Sequence, residues 1–362
     1  MKIKNIFFAA ILVFAGFSCS MEDDTIMNDV EKGIEEATEA YTVLDFGVAF
    51  NEMATKASTT VVPGEDRPAT GNENNDEKKI SEVSVFLLED GKVIGILKSQ
   101  NMNQVSSNSD GSITLKDLKF VTKYKTNRTL DAHVVINGNQ FLKNINIGDA
   151  QSALNQQISG CLSADQLIKY GSTSIVFGKD ITNSYPSPSV AENNPTTILV
   201  KVSHVAARLD FSQFDVTLKG IEGNPTVVFD EAKFVNLQQN GKIVEGDASV
   251  NVKDGAFLNR SNRIGTGWTD MGTAYGYANQ YKQDSEMNTA LYVKFTVDGR
   301  TFEKTYPINP AGITKEVNHT GIKGGYLYDI KVHWTITPKW GDSTIEFYTR
   351  DWVHNTIPEV VL

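Results

Sequence analysis

The chain has 362 residues, a formal charge of −10 and 40% hydrophobic residues, enough for two domains with real cores. Its basic residues are scattered and no patch interleaves them with aromatics, which excludes a nucleic-acid binder. Two cysteines, Cys19 and Cys161, are too few for a disulfide framework.

Lys2 and Lys4 precede an apolar stretch from Ile6 to Phe17. That stretch is too short to span a bilayer and has the length of a signal-peptide core. It ends at Gly16-Phe17-Ser18-Cys19, where a small residue before cysteine suits lipoprotein processing, although Gly16 stands where a leucine is usual. Diacylated Cys19 would tether the chain without a transmembrane helix; the other reading is an ordinary secretory signal cut near Ser18 or Ser20. Residues 20–56 carry ten acids against Lys32 and Lys56, a charge excess that keeps a tether solvated.

Tyr41 to Met53 then alternates, with Leu44, Phe46, Val48 and Phe50 on one face, the period of a strand with one apolar side. Residues 54–79 are polar and rich in Gly, Pro, Asn and charge, so they cannot build a core and read as an exposed, protease-accessible linker. Two of its basic residues stand out. Lys56 is followed by small Ala57, whereas Arg67 precedes Pro68, which resists trypsin-like enzymes.

From Lys79 onward the pattern is β almost throughout. Strands are expected near 83–88 and 93–97, joined by the Asp90-Gly91 turn signal, and near 112–118, 131–137 and 174–177. Residues 147–170 have helical spacing at Leu154, Ile158, Leu162 and Leu167, as broken helical pieces. A Pro-, Ser- and Asn-rich stretch, 183–195, reads as a domain boundary. Beyond it come a long or bent strand at 197–211 and strands near 214–218, 232–237, 290–297, 300–307 and 326–336. The last segment, 343–362, holds Ile345, Phe347, Trp352, Val353, Ile357, Val360 and Leu362. In extended form it would reach about 65 Å, enough to leave its own domain; the plainer reading is a pair of edge strands. Many short strands with few helices imply two β-sandwiches in tandem.

No catalytic motif is present: there is no Gly-x-Ser-x-Gly, P-loop or HExxH pattern. The five histidines lack metal-ligand spacing, so neither a metal nor a cofactor is expected. Cys161 reads as a small buried hydrophobe rather than a nucleophile. Trp268, Tyr275, Tyr277 and Tyr281 lie in what reads as a Gly-rich loop, packing on itself or meeting a sugar.

The order of several pieces resembles the fimbrillins, lipoprotein-derived pilus subunits of Bacteroidota. They are the loose lipobox at Cys19, the strand 41–53 ahead of a Lys/Arg-containing linker, and Ser84-Val85-Phe86. Ala207-Arg208 within 202–211, Gly324-Gly325-Tyr326-Leu327-Tyr328-Asp329-Ile330 and the terminal Asp351-Trp352 complete the set. Ser20-Met21-Glu22-Asp23-Asp24 likewise resembles the acidic signal of surface-exposed lipoproteins in that phylum.

The resemblance implies an all-β fold of two tandem transthyretin-like β-sandwich domains with short helical insertions, at 57–195 and 196–342. They would be preceded by a signal peptide (1–19) and a propeptide (20–56) and followed by a donor segment (343–362). It implies a non-enzymatic fimbrial subunit at the outer membrane and cell surface, anchored in lipid as a precursor. A trypsin-like surface protease would cut after Lys56 or Arg67, the family pattern favouring arginine and the Pro68 argument favouring Lys56. Other fimbrial subunits would be partners by strand exchange, with host or bacterial surface ligands as further partners in adhesion. The alternative is an uncleaved surface lipoprotein, either an anchor or accessory subunit or a glycan binder.

Overall fold

The structure is a computed structural model that describes residues 39–50, 75–99, 106–107, 113–246, 248–255, 263–309, 320–338 and 341–351. The described residues form one compact unit. In chain order its strands are β1 (Tyr41–Phe50), β2 (Val83–Glu89), β3 (Lys92–Ser99), β4 (Ser106–Ser107), β5 (Ile113–Lys123), β6 (Thr129–Ile136), β7 (Gln157–Ser159) and β8 (Lys169–Val176). The short helix α1 (Pro188–Glu192) leads into β9 (Thr196–His204), β10 (Ala207–Leu218), β11 (Val227–Val235), β12 (Leu237–Gln238), β13 (Asn240–Lys242) and β14 (Val252–Lys253). The last are β15 (Arg263–Ile264), β16 (Gly267–Gly276), β17 (Ala290–Val297), β18 (Arg300–Pro307), β19 (Tyr326–Ile336) and β20 (Gly341–Asp351). The expected all-β class holds, and the helical spacing in 147–170 resolves into 3-10 turns at Gln151–Leu154 and Ala164–Gln166.

Apart from the two-stranded sheets β12–β14 and β7–β13, the strands form two pairs of sheets. In the first, hydrogen bonding runs β3-β2-β6-β8-β9-β1-β5-β4. The run folds into two layers because β9 touches β8 only at its end, through His204 opposite Lys169 and Ser203 opposite Tyr170. The rest of β9 pairs with β1. Gly171 permits the crossing, since a Cβ there would lie 1.9 Å from the Lys201 carbonyl oxygen. Between the layers, Leu44, Phe46 and Val48 of β1 pack with Val85, Leu87, Val134, Val200 and Val202.

The second pair is β16-β10-β19-β20 and β15-β11-β17-β18, closed over Phe211, Phe214, Phe229, Phe295 and Trp334. Both pairs are wired alike. β1 is parallel to β9 and antiparallel to β5, and β10 is parallel to β19 and antiparallel to β16. The order β3-β2-β6-β8 has its counterpart in β15-β11-β17-β18.

The changeover between the pairs differs from the expected boundary at 183–195. That stretch contains α1, and β9 after it still belongs to the first pair, with Ile198, Val200 and Val202 in its core. The passage occurs at Val205-Ala206, which explains the glycine pair Gly324-Gly325. A Cβ on Gly324 would lie 2.1 Å from the Val205 oxygen, and the Gly325 N–H donates to the Ala206 carbonyl at 2.9 Å.

A third apolar cluster fills the junction. Phe86, Val135, Leu154 and Ile158 of the first pair pack with Ile243, Tyr277 and Leu327 of the second. The two-stranded sheet β7–β13 ties the same parts together by backbone hydrogen bonds.

Candidate functional site

β1 is an interior strand, not an edge. Its residues 44–50 pair in unbroken parallel register with 196–202 of β9. On its other side residues 41–45 pair with 119–123 of β5, and 47–48 with 113–114. Leu44, Phe46 and Val48 are fully buried. Burying each is worth about 1.5–3 kcal/mol, as an upper bound because the unfolded chain already hides some surface. Phe50, the fourth residue of the alternating face, pairs with Val202 through the backbone.

The outer face of β1 is covered as well. Val43 is fully buried and α1 lies across the strand. α1 starts with Pro188 in its first turn and Ser187 as N-cap, whose Oγ accepts from the Val190 N–H, a standard helix start. Ahead of it Tyr185 and Tyr41 exchange backbone hydrogen bonds of 2.7 and 2.8 Å. The Tyr124 N–H donates to the Ala40 carbonyl, and Lys123 pairs with Glu39. That last pair is exposed and stabilises little.

Removing such a strand would leave β9 and β5 with facing, unpaired edges above an apolar groove. Backbone donors and acceptors there would have to be satisfied by another strand.

The two described segments that flank residues 51–74 meet at the junction. Phe50 is beside Val202, and two residues further on the His204 imidazole Nε2 lies 3.3 Å from the Glu77 carbonyl oxygen. The polar reading of 54–79 is corrected at its downstream end. Asn75–Lys78 is a 3-10 turn, and Glu77 is fully buried. Its carboxylate accepts from Arg208 Nη1 at 3.1 Å and from the Tyr275 hydroxyl at 2.5 Å. Arg208 also pairs with Asp210 at 2.9 Å. Burial, then the Glu77 hydrogen bond, push the Tyr275 phenol far above its ordinary value.

Beside this cluster the ammonium group of Lys169, fully buried, donates to the carbonyls of Lys79 and Leu167 at 3.2 and 3.3 Å. Burial lowers its pKa to about 7, partly opposed by the Glu77 charge. Arg208 falls in the stretch 202–211 quoted for the family likeness; Glu77 and Lys169 gave no signal, since a charged residue in a polar run looks like any solvated one.

The other expected site residues divide clearly. Ile345 and Phe347 lie in β20, the edge strand that pairs with β19 over 341–351. Ile345 packs on the second core. Cys19, Lys56, Arg67, Trp352, Val353, Ile357, Val360 and Leu362 lie outside the described residues. Trp268 and Tyr275 belong to strand β16 rather than a loop, and Trp268 and Tyr277 are buried. Tyr277 donates to the Gly160 carbonyl at 2.7 Å across the junction. His133 is buried with Nδ1 2.7 Å from the Tyr170 hydroxyl. Cys161 is half-buried, with its thiol pKa raised by burial. Among the described residues no group of His, Cys, Asp and Glu is placed to hold a metal, and no helix is long and apolar enough to cross a membrane.

Two sheet pairs of like wiring, with β1 laid parallel to β9 in the first and β10 parallel to β19 in the second, make up the fold. The fold is that of a proposed cell adhesion protein from Parabacteroides distasonis, with a TM-score of 0.57 at 17% identity, covering 87% of this chain and 98% of that one. A second proposed adhesion protein from the same organism gives 0.50 at 12% identity, covering 87% and 99%. A fimbrilin from Porphyromonas gingivalis gives 0.46 at 14%, covering 86% and 98%. At these identities the likeness is one of fold. No protein-family model and no curated protein sequence matches the chain.

Proposed function

We propose that this protein is a structural subunit of a cell-surface fimbria, built to exchange its first strand for one from a neighbouring subunit. The observation that carries the reading is the placement of β1: an interior strand, buried on both faces, whose chain continues into residues 51–74 with Lys56 and Arg67. An interior strand that ends at a cleavable linker is held by two things, its own contacts and its tether. Cutting the tether removes its high effective concentration at the groove. A second strand can then take over the two ladders and the apolar groove by β-augmentation.

In this reading the precursor is exported as a lipoprotein through Cys19 and cut after Lys56 or Arg67 by a trypsin-like surface protease. Each sheet pair is a transthyretin-like domain. The segment 343–362 supplies the incoming strand, so growth is head-to-tail and open-ended, and the fibre serves adhesion. The wiring of the second pair supports the assignment of roles. Its equivalent strand, β10, is joined to β9 through Val205-Ala206 and has no comparable linker to cut.

N-terminal sequencing of the protein recovered from cell surfaces tests the proposal. A mature chain starting at Ala57 or Pro68, in SDS-resistant ladders, is the expected result. A full-length lipidated monomer that binds glycans would overturn it in favour of an unprocessed surface lipoprotein.

A further inference from the structure

The linker region has a basic pair that looks a better protease target than either Lys56 or Arg67: Lys78-Lys79, with Ile80 following and no proline nearby. Lys79 is exposed, so the side chain a trypsin-like enzyme reads is available. We infer that a buried polar lock around residues 77–82 closes this site to hydrolysis and so confines processing to residues upstream of Asn75. This rests on the processing step proposed above and specifies how its site is selected.

The lock acts on the backbone. The Lys79 carbonyl oxygen accepts from Asn137 Nδ2 at 2.9 Å and from Lys169 Nζ at 3.2 Å. The Lys79 N–H donates to the Asp76 carbonyl at 3.1 Å, and the Ser81 N–H to Asn137 Oδ1 at 2.8 Å. Asn137 returns its own N–H to the Glu82 carbonyl at 3.0 Å, and the Glu82 carboxylate accepts from the Asn139 N–H at 2.7 Å. Upstream, Glu77 is fixed by Arg208, Tyr275 and His204.

Hydrolysis after Lys79 consumes one water and leaves a carboxylate on Lys79 and an amine on Ile80. It requires the carbonyl carbon to be open to the protease nucleophile and its oxygen to enter an oxyanion hole. Here that oxygen already has two donors, one a buried lysine and one an amide on a left-handed residue (Asn137, φ 58°). A protease also binds its substrate extended, so residues 77–82 would have to leave together. That means breaking ties to the first pair through Asn137 and Lys169 and to the second through Arg208 and Tyr275. Opening of this size is a cooperative local unfolding event.

Limited digestion of the full-length unprocessed protein with trypsin, followed by mass mapping of early fragments, tests the lock. Cuts after Lys56 or Arg67 should appear first, and cuts after Lys78 or Lys79 should trail them by at least about tenfold. Glu77→Gln and Lys169→Met should each speed cutting after Lys79 by about 10- to 100-fold, the effect on local opening of losing the hydrogen bonds made by a buried polar group. Upstream cutting should be unchanged. Equal rates at Lys79 and the upstream sites in the wild-type chain would overturn the inference, whether or not the variants fold. So would folded variants, with their thermal transition retained, that leave the Lys79 rate unchanged. Absence of processing on cells would sink the proposed function and leave this rate ratio intact, so the two failures are separable.

Discussion

Phe46 lies in parallel register with Ile198, while β5 steps past it: the partner of β1 moves from Lys119 opposite Asp45 to Thr114 opposite Gly47. The chain between those partners turns Leu115 and Leu118 into the same core. Phe46 therefore has no ladder partner in β5, and on that side it is held by its buried side chain. Phe46→Ala should cost about 3–5 kcal/mol, measured as a lower urea midpoint with an unchanged slope. A loss below about 1 kcal/mol would show that the groove collapses around the smaller residue.

A chain that begins at Ala57 lacks β1 and should expose the β9 and β5 edges. We expect it to bind a hydrophobic dye, associate with itself and unfold at lower urea than the longer chain. Adding a synthetic peptide of residues 39–53 should reverse all three. A monomeric truncated chain with an unchanged midpoint would mean that β1 is dispensable to the first core.

Lys169 sets a pH dependence. Its pKa is about 7 in the folded chain against an ordinary value of 10.5, so between those values the unfolded chain binds the extra proton. Stability should then rise with pH from about 7. The rise is opposed above about 9, where Cys161 and the buried tyrosines, whose values are raised by folding, favour the unfolded chain instead. Urea midpoints taken from pH 6.5 to 9 should climb for the wild type and flatten for Lys169→Met. A wild-type profile that falls across this interval would refute the assignment.

Ending the chain after Pro338 removes β20. β19 keeps β10 along its other side, so the second core should persist with a reduced urea midpoint, partly from the loss of Ile345. In the reading proposed here the same truncation also removes the incoming strand. Processed subunits ending at Pro338 should therefore remain monomers on denaturing gels while still accepting full-length neighbours. SDS-resistant ladders formed by the truncated subunit alone would place the incoming strand elsewhere in the chain.

The alternating segments were legible because a strand with one buried face writes its period into the chain. Leu44, Phe46 and Val48, and the run Tyr326 to Trp334, show this plainly. What alternation does not encode is which strands become neighbours. The interior position of β1 and its parallel pairing with β9 depend on contacts between residues about 150 positions apart, the kind of pairing that sequence neighbours do not report. The changeover at Val205-Ala206 was obscured because 183–195 has the composition of a linker yet wraps β1. β16 was hidden by its irregular backbone, with Asp270 at a φ of 52° and Gly272 at 148°. Glu77 shows the limit on the site itself, since its partners Arg208 and Tyr275 are supplied by the second sheet pair.

The nearness of the two chain ends that flank residues 51–74, with Phe50 beside Val202 and Glu77 beside His204, has an evolutionary corollary. A loop whose ends already meet imposes little demand on its own length, because each doubling costs only about 0.6 kcal/mol in closure entropy. Insertions and deletions between β1 and Asn75 should thus be nearly silent for the fold. The segment is free to drift in length and composition, and to acquire or lose protease sites, without a compensating change in either core.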